Sequence, residues 1–208
     1  MFIRKLEGKK EEISGKEAVL NYNRKAKMRK YIYKMVASKV LKLDVNKGIT
    51  LELGIGGGFL AIEIAKFIPH LKIIGVDLSY DMLNLAKKNI KEAGMEDRII
   101  LCKADIKELS FKNSSFDLVI SHGVLHHLAD PIIVFNEIAR VLKENGRFLI
   151  NDLRRFWWAF VLSATKFGVI TSIRAAYTTK EIISLLEKSN LKNWKVQKYL
   201  FWQSIYRF

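Results

Sequence analysis

The sequence has one cysteine, Cys102, so no disulfide can form within it and nothing in it calls for an oxidising compartment. It has two prolines, Pro69 and Pro131, and no Pro- or Ser-rich tract that would mark a linker between domains. It lacks a long apolar run. The longest, Phe156 to Ile170, is broken by Lys166 and is too short to cross ~30 Å of hydrocarbon. The first ten residues lack the apolar centre of a secretory signal, so a soluble, cytoplasmic protein is expected. At both ends the sequence is also short of acid. Residues 1–49 carry 14 basic and 5 acidic groups, residues 50–150 carry 12 and 13, and residues 151–208 carry 10 and 3. The net charge of +15 is therefore borne by the flanks of a neutral centre. Such a field attracts an acidic small molecule, a nucleic acid or an anionic membrane surface.

What is present describes one globular unit. The 208 residues, 50% hydrophobic and 27% charged, can bury a full core without metal or disulfide staples. From Lys16 to Leu43, good helix formers and a loose apolar stripe predict one or two helices, which Asn46-Lys47-Gly48 breaks. Strands are then expected at Ile49–Leu53, Leu71–Val76, Ile99–Cys102, Phe116–Ser121 and Arg147–Asn151. Helices are expected at Phe59–Phe67, from Tyr80 to about Ala93, and from Asp130-Pro131 to about Lys143. Ser79 caps the second of these, and Thr178-Thr179-Lys180-Glu181 opens a last helix as a capping box. Trp194 to Phe208 is β-prone and predicts a hairpin. Strand and helix alternate, which implies an α/β fold, a Rossmann-like, doubly wound, mostly parallel sheet of seven strands. N-terminal helices precede the sheet and a C-terminal β-hairpin completes it. Right-handed crossovers bring every strand-to-helix loop to one edge, where ligands bind. The Gly54–Gly58 loop, Asp77, Asp105 and Ser121-His122 all fall there.

Gly54, Gly56 and Gly58 alternate between a strand and a helix, where glycine tolerates positive φ and lets a ligand approach the backbone. Gly56 to Ala61 also satisfies the dinucleotide fingerprint, with Asp77 placed like a ribose-binding acid, so a nicotinamide enzyme is one reading. Glu52, two residues before Gly54, favours another. A carboxylate there suits a ligand amine and repels a pyrophosphate. Asp77 can accept from two ribose hydroxyls, and Asp105 from an exocyclic adenine amine. The three acids together suit a ligand with an amine, a ribose and an adenine but no phosphate.

These residues resemble a known family. Leu51 to Gly58 is similar to the first motif of class I S-adenosylmethionine (SAM)-dependent methyltransferases, and Gly75-Val76-Asp77-Leu78-Ser79 with Met82 to their second. Lys103-Ala104-Asp105-Ile106 resembles the third. Phe116 to Ser121, followed by Leu125-His126-His127-Leu128, resembles the branch acting in ubiquinone and menaquinone biosynthesis (methyltransferase types 11 and 25). The likeness runs from about Thr50 to Asp152. It implies SAM as the methyl donor and S-adenosylhomocysteine as the product. It implies that Glu52, Gly54, Gly56 and Gly58 hold the methionine part, Asp77 the ribose, and Leu78, Met82, Asp105 and Ile106 the adenine. Ser121 and His122 would border the reacting methyl. His122, His126 and His127 are candidates for a proton acceptor, their ordinary pKa suiting transfer near neutrality. No metal is expected, because His126-His127 and one cysteine do not make a ligand set.

In this family the N-terminal helices and the insert after the fifth strand cover the acceptor, which divides the chain into a cap (1–48), a SAM-binding core (49–152), an insert (153–178) and a final helix with hairpin (179–208). Here cap and insert are the basic regions. Arg154 and Arg155 beside Phe156-Trp157-Trp158 could clamp a planar or apolar acid, or rest on a membrane surface. Tyr22, Tyr31, Trp158, Arg174 and Tyr177 are further lining candidates. The acceptor expected is a small, anionic or partly apolar molecule, bound by a monomer or homodimer. RNA or protein methylation, and SAM binding without turnover, are the alternatives. Against nucleic acid, the loop after strand four reads Ser121-His122-Gly123-Val124, without the Asn/Asp-Pro-Pro-aromatic sequence of enzymes that methylate base amines.

Overall fold

The computed structural model describes residues 13–156 and 168–208. Two helices, α1 (Lys16–Met28) and α2 (Lys30–Leu41), precede β1 (Lys47–Leu53). There follow α3 (Phe59–Phe67), β2 (His70–Asp77), α4 (Tyr80–Glu92), β3 (Ile99–Lys103) and β4 (Phe116–His122). A short 3₁₀ turn, Leu125–His127, leads to α5 (Ile132–Val141) and β5 (Leu142–Leu153). The chain ends with α6 (Gly168–Ala175), α7 (Thr179–Glu187), β6 (Lys195–Lys198) and β7 (Trp202–Arg207).

The sheet has seven strands in the order β3-β2-β1-β4-β5-β7-β6, and only the pairings of β7 are antiparallel. The expected doubly wound architecture and C-terminal hairpin are both present. Period-two alternation along the strands fills two cores. Ile73, Leu118 and Ile120 face Val36 and Val40 of α2, Leu60 and Ile64 of α3, and Leu83 and Ile90 of α4. Leu51, Leu53, Phe116, Phe148 and Ile150 face Phe135, Ile138 and Val141 of α5 and Ile182 and Leu186 of α7. The chain leaves β1 toward β2 and β3, then returns to add β4 on the other side. A crevice therefore opens at the carboxyl ends of β1 and β4.

The caps act as their sequences imply. Ser79 Oγ accepts the Met82 N–H at 3.3 Å, and Thr178 and Glu181 form a complete capping box. β1 begins two residues earlier than expected, at Lys47, and β5 ends two residues later, at Leu153, but the largest departure is at the α5–β5 corner. Helix α5 stops at Val141 rather than Lys143, and β5 begins at Leu142 rather than Arg147. The reason lies in the preceding loop: the N–H groups of Ser114 and Ser115 take the carbonyls of Arg140 and Val141, and Leu142 pairs with Phe116. No described helix is long and apolar enough to cross a membrane.

Candidate functional site

The crevice is built outward from β1. Gly54, Gly56 and Gly58 all hold left-handed φ, +67°, +55° and +76°. At Gly56 any side chain would also collide, since a Cβ would lie 2.5 Å from the Tyr22 hydroxyl; at Gly54 one would lie 2.6 Å from a Val124 methyl. Asp77, closing β2, accepts the Gly56 N–H at 2.9 Å through Oδ2 and the Ser79 N–H at 3.0 Å through Oδ1. One carboxylate thus braces both the glycine loop and the start of α4.

Glu52 lies beneath the loop, 3% exposed. It accepts from the Ala61 N–H in the first turn of α3, yet burial, reinforced by the charge of Asp77, pushes its pKa up to about 8. Its Oε2 has no hydrogen-bond partner among the described residues. A buried carboxyl with an open oxygen is suited to a cationic or donor group. Tyr22, from α1, closes over the loop. The Gly57 N–H donates to its hydroxyl, which also pairs with Tyr33, and burial raises its pKa well above the ordinary phenol value.

The cleft runs from Ile13, Tyr22, Gly54 and Gly56 past Asp77, Leu78 and Met82 to Ala104, Asp105, Ile106 and Lys107. Its far wall is His122, Gly123, Val124, His127 and Leu128. Asp105 Oδ1 accepts the Lys107 N–H at 2.9 Å, which turns the loop after β3 toward the cleft.

His122, the last residue of β4, lies flat against Trp202 of β7 at 5.1 Å between centroids, with Tyr33 of α2 edge-on at 5.7 Å. Burial in this aromatic sandwich drives its pKa down to about 4, so the ring is neutral at physiological pH. Behind it, Asn151 Oδ1 receives Lys39 Nζ at 3.1 Å and Ser204 Oγ at 2.8 Å. The Lys39 pKa is itself lowered, by burial first and by Lys42 second. His126 lies 6% exposed, with Nδ1 2.8 Å from Asp152 Oδ1. Asp152 Oδ2 accepts the Leu125 N–H at 2.7 Å, and His126 holds the buried carboxyl below the usual range despite its desolvation. This pair ties the 3₁₀ turn to the end of β5.

The expected residues separate into groups. Gly54, Gly56, Asp77, Leu78, Met82, Asp105, Ile106 and His122 line one cleft, with Glu52, Gly58 and Ser121 buried at or behind its wall. His126 is not among the lining side chains; its neighbour His127 is. Tyr22 sits on the glycine loop rather than beyond it, and Tyr31 is 69% exposed on the outer face of α2. Arg154 donates from Nε to the Tyr199 carbonyl at 3.0 Å and from Nη2 to the Leu200 carbonyl at 2.9 Å, locking the β6–β7 turn. Arg155, 4% exposed, pairs with Glu181 of the α7 capping box. The Tyr177 hydroxyl donates to the Leu128 and Ala129 carbonyls, at 3.0 and 2.9 Å. Arg174 is part-buried on α6, and Trp158 lies outside the described residues. Cation heads already engaged with carbonyls or a carboxylate are poorly placed to clamp a ligand, and Arg154 and Arg155 are so engaged. Sequence reasoning missed Tyr33, Lys39, Asn151 and Trp202. Asn151 alone carried a signal, since it stands at the carboxyl end of a predicted strand. Among the described residues no three His, Cys, Asp or Glu side chains gather as a metal site.

Comparison with known proteins decides the family. The family described as "Methyltransferase domain" matches residues 44–205. The chain belongs to the class I SAM-dependent methyltransferases. It is 33% identical over 133 residues to a malonyl-[acyl-carrier protein] O-methyltransferase of Legionella pneumophila, covering 64% of this chain and 46% of that protein. It is 31% identical over 135 residues to a demethylmenaquinone methyltransferase of Thermotoga maritima, covering 65% and 54%. The chain thus spans about half the length of these relatives. A crystal structure from Methanococcus maripaludis, provisionally assigned as a SAM-dependent methyltransferase, superposes with a TM-score of 0.76 at 23% identity over 95% of this chain and 94% of that one. The family's cosubstrate is SAM, and the cleft fits it. The unpartnered oxygen of Glu52 suits an α-ammonium, and Gly54 and Gly56 present left-handed backbone to the cleft. Asp77 and Asp105 bring two carboxylates to this cleft, with Lys107 the cation among its lining residues.

Proposed function

We propose that the chain transfers a methyl group from SAM to a small acceptor that is anionic or partly apolar. The observation that carries this reading is the buried carboxyl of Glu52, whose Oε2 has no partner among the described residues, beneath a loop whose three alternating glycines all hold left-handed φ. Glu52 and the backbone of Gly54–Gly58 would hold the amino-acid part, Asp77 the ribose, and Leu78, Met82, Asp105 and Ile106 the adenine. Bound there, SAM supplies an electrophilic methyl on a sulfonium that leaves as a neutral thioether, S-adenosylhomocysteine. The protein's own contribution is alignment and exclusion of water. Tyr22 and Tyr33 cover the loop, Trp202 and Tyr33 fix the His122 ring, and Val124 and Leu128 give the far wall an apolar face. An acceptor that is already anionic needs no base, which suits a cleft whose histidine is held neutral by burial.

The named relatives support a small or carrier-bound acceptor: one acts on a malonyl-acyl-carrier protein and another on demethylmenaquinone. We assign the cap, core, insert and tail roles to residues 1–48, 49–152, 153–178 and 179–208. The test is a methyl-transfer screen of the purified chain against cell extract, read as S-adenosylhomocysteine and product mass. Product from the small-molecule fraction supports the reading. Binding of SAM with no S-adenosylhomocysteine from any fraction would leave a binding module instead. The basic α1–α2 segment favours RNA as the second reading. Product confined to the RNA fraction, with steeply salt-dependent binding of bulk tRNA, would establish it.

A further inference from the structure

Two groups of Asn151 reach the same nitrogen of His122 and ask opposite things of it. The Asn151 backbone carbonyl lies 3.3 Å from Nδ1, and the Asn151 side-chain Nδ2 lies 3.2 Å from it. A carbonyl oxygen requires a proton on Nδ1; an amide N–H requires a bare lone pair there. The carbonyl also accepts the Gly123 N–H at 3.0 Å, so it has a donor without the ring, although its second lone pair could accept from Nδ1. The side-chain amide is oriented from its other end. Its Oδ1 receives both Lys39 Nζ and Ser204 Oγ. A hydroxyl can rotate to serve either end of an amide, but an ammonium can only donate. Lys39 therefore requires oxygen on its side and turns the NH₂ group toward His122.

We propose that Lys39, acting through the Asn151 amide, holds neutral His122 with its proton on Nε2, so that the cleft is offered a hydrogen-bond donor and not a proton acceptor. Trp202 and Tyr33 keep the ring from turning over. His122 lines the cleft, and no described residue pairs with its Nε2. The matching ligand group is an oxygen with a lone pair to give: a carbonyl, an enolate or a phenolate. Lys39 is a positioning residue, on a helix that the cofactor motifs do not include. Only the identity of that oxygen as part of a methyl acceptor rests on the function proposed above; the proton's position does not.

The test is the long-range ¹H–¹⁵N spectrum of the imidazoles in the intact chain without SAM, with H122N identifying the His122 signals. A protonated Nε2 and bare Nδ1 are expected. In K39M the amide is released to turn its oxygen toward Nδ1, and the proton should move to Nδ1; K39R, still a pure donor, should retain the original pattern. A proton on Nδ1 in the intact chain, or an unchanged spectrum in K39M, overturns the assignment. Should K39M fail to fold, K39Q removes the obligatory donor with a polar side chain and is judged by the same shift. Because the spectrum is recorded without SAM, loss of the tautomer and absence of methyl transfer are separate results.

Discussion

Asp77 and Gly56 are bound to each other across two strands: the carboxylate that closes β2 accepts, at 2.9 Å, the N–H of the central glycine in the loop after β1. The same carboxylate caps the turn into α4 through the Ser79 N–H. An acid of the cleft wall is therefore also the brace that gives the loop its shape.

Replacing Asp77 by Ala should weaken SAM binding by about 1–3 kcal/mol, the range for losing charge-assisted hydrogen bonds. Asp77→Asn, which keeps one acceptor oxygen, should lose less. Calorimetric titration checks both; an unchanged affinity in the Ala variant would remove Asp77 from the site.

Gly56→Ala should cost about 1–2 kcal/mol from the left-handed backbone alone, and it drives a methyl into the Tyr22 hydroxyl. The expected outcome is a lower thermal midpoint together with looser SAM binding. Gly94→Ala also faces positive φ, but nothing lies within 4 Å of its Cβ. It should lower stability while leaving SAM affinity intact.

Glu52 should release a proton when SAM binds. Its folded pKa of about 8 leaves it protonated at pH 7, whereas an ammonium partner favours the carboxylate. Titrations in buffers of different ionisation enthalpy should show protons leaving in the intact chain and fewer leaving in Glu52→Gln. The same shift sets a stability trend. With its folded pKa raised above the ordinary 4.5, Glu52 contributes most below that value, and the contribution is lost as pH rises through about 8.

His122 acts in the opposite sense. Its pKa falls from 6.5 to about 4 on folding, so stability is full above 6.5 and declines as pH drops toward 4. Urea midpoints of the intact chain and His122→Asn across pH 4–7 should converge at the acid end, and a constant difference would refute the shift.

Asp152→Ala should destabilise by about 3–5 kcal/mol, because it strands a buried partner. His126 would lose its hydrogen-bond partner, and the Leu125 and Leu153 N–H groups their acceptor. A urea midpoint within experimental error of the intact chain's would contradict the structural role given to the pair.

The parts of this protein that depend on neighbours in the chain were legible in its sequence. Alternating apolar residues, Ser79 and the Thr178–Glu181 box are local signals, and they located the strands and caps. Chain topology then sent Gly54–Gly58, Asp77 and Asp105 to one edge, because right-handed crossovers leave those loops nowhere else to go. What lies beyond that edge is decided at long range. Lys39 and Ser204 meet on Asn151 across 112 and 53 residues of chain, and Trp202 reaches His122 only because β7 runs antiparallel beside β5. Arg154 and Arg155 look like ligand clamps in a basic stretch until the fold supplies them with carbonyls and Glu181. A charged group's role follows from its nearest partner after desolvation, and sequence spacing carries no information about a partner that only packing brings near.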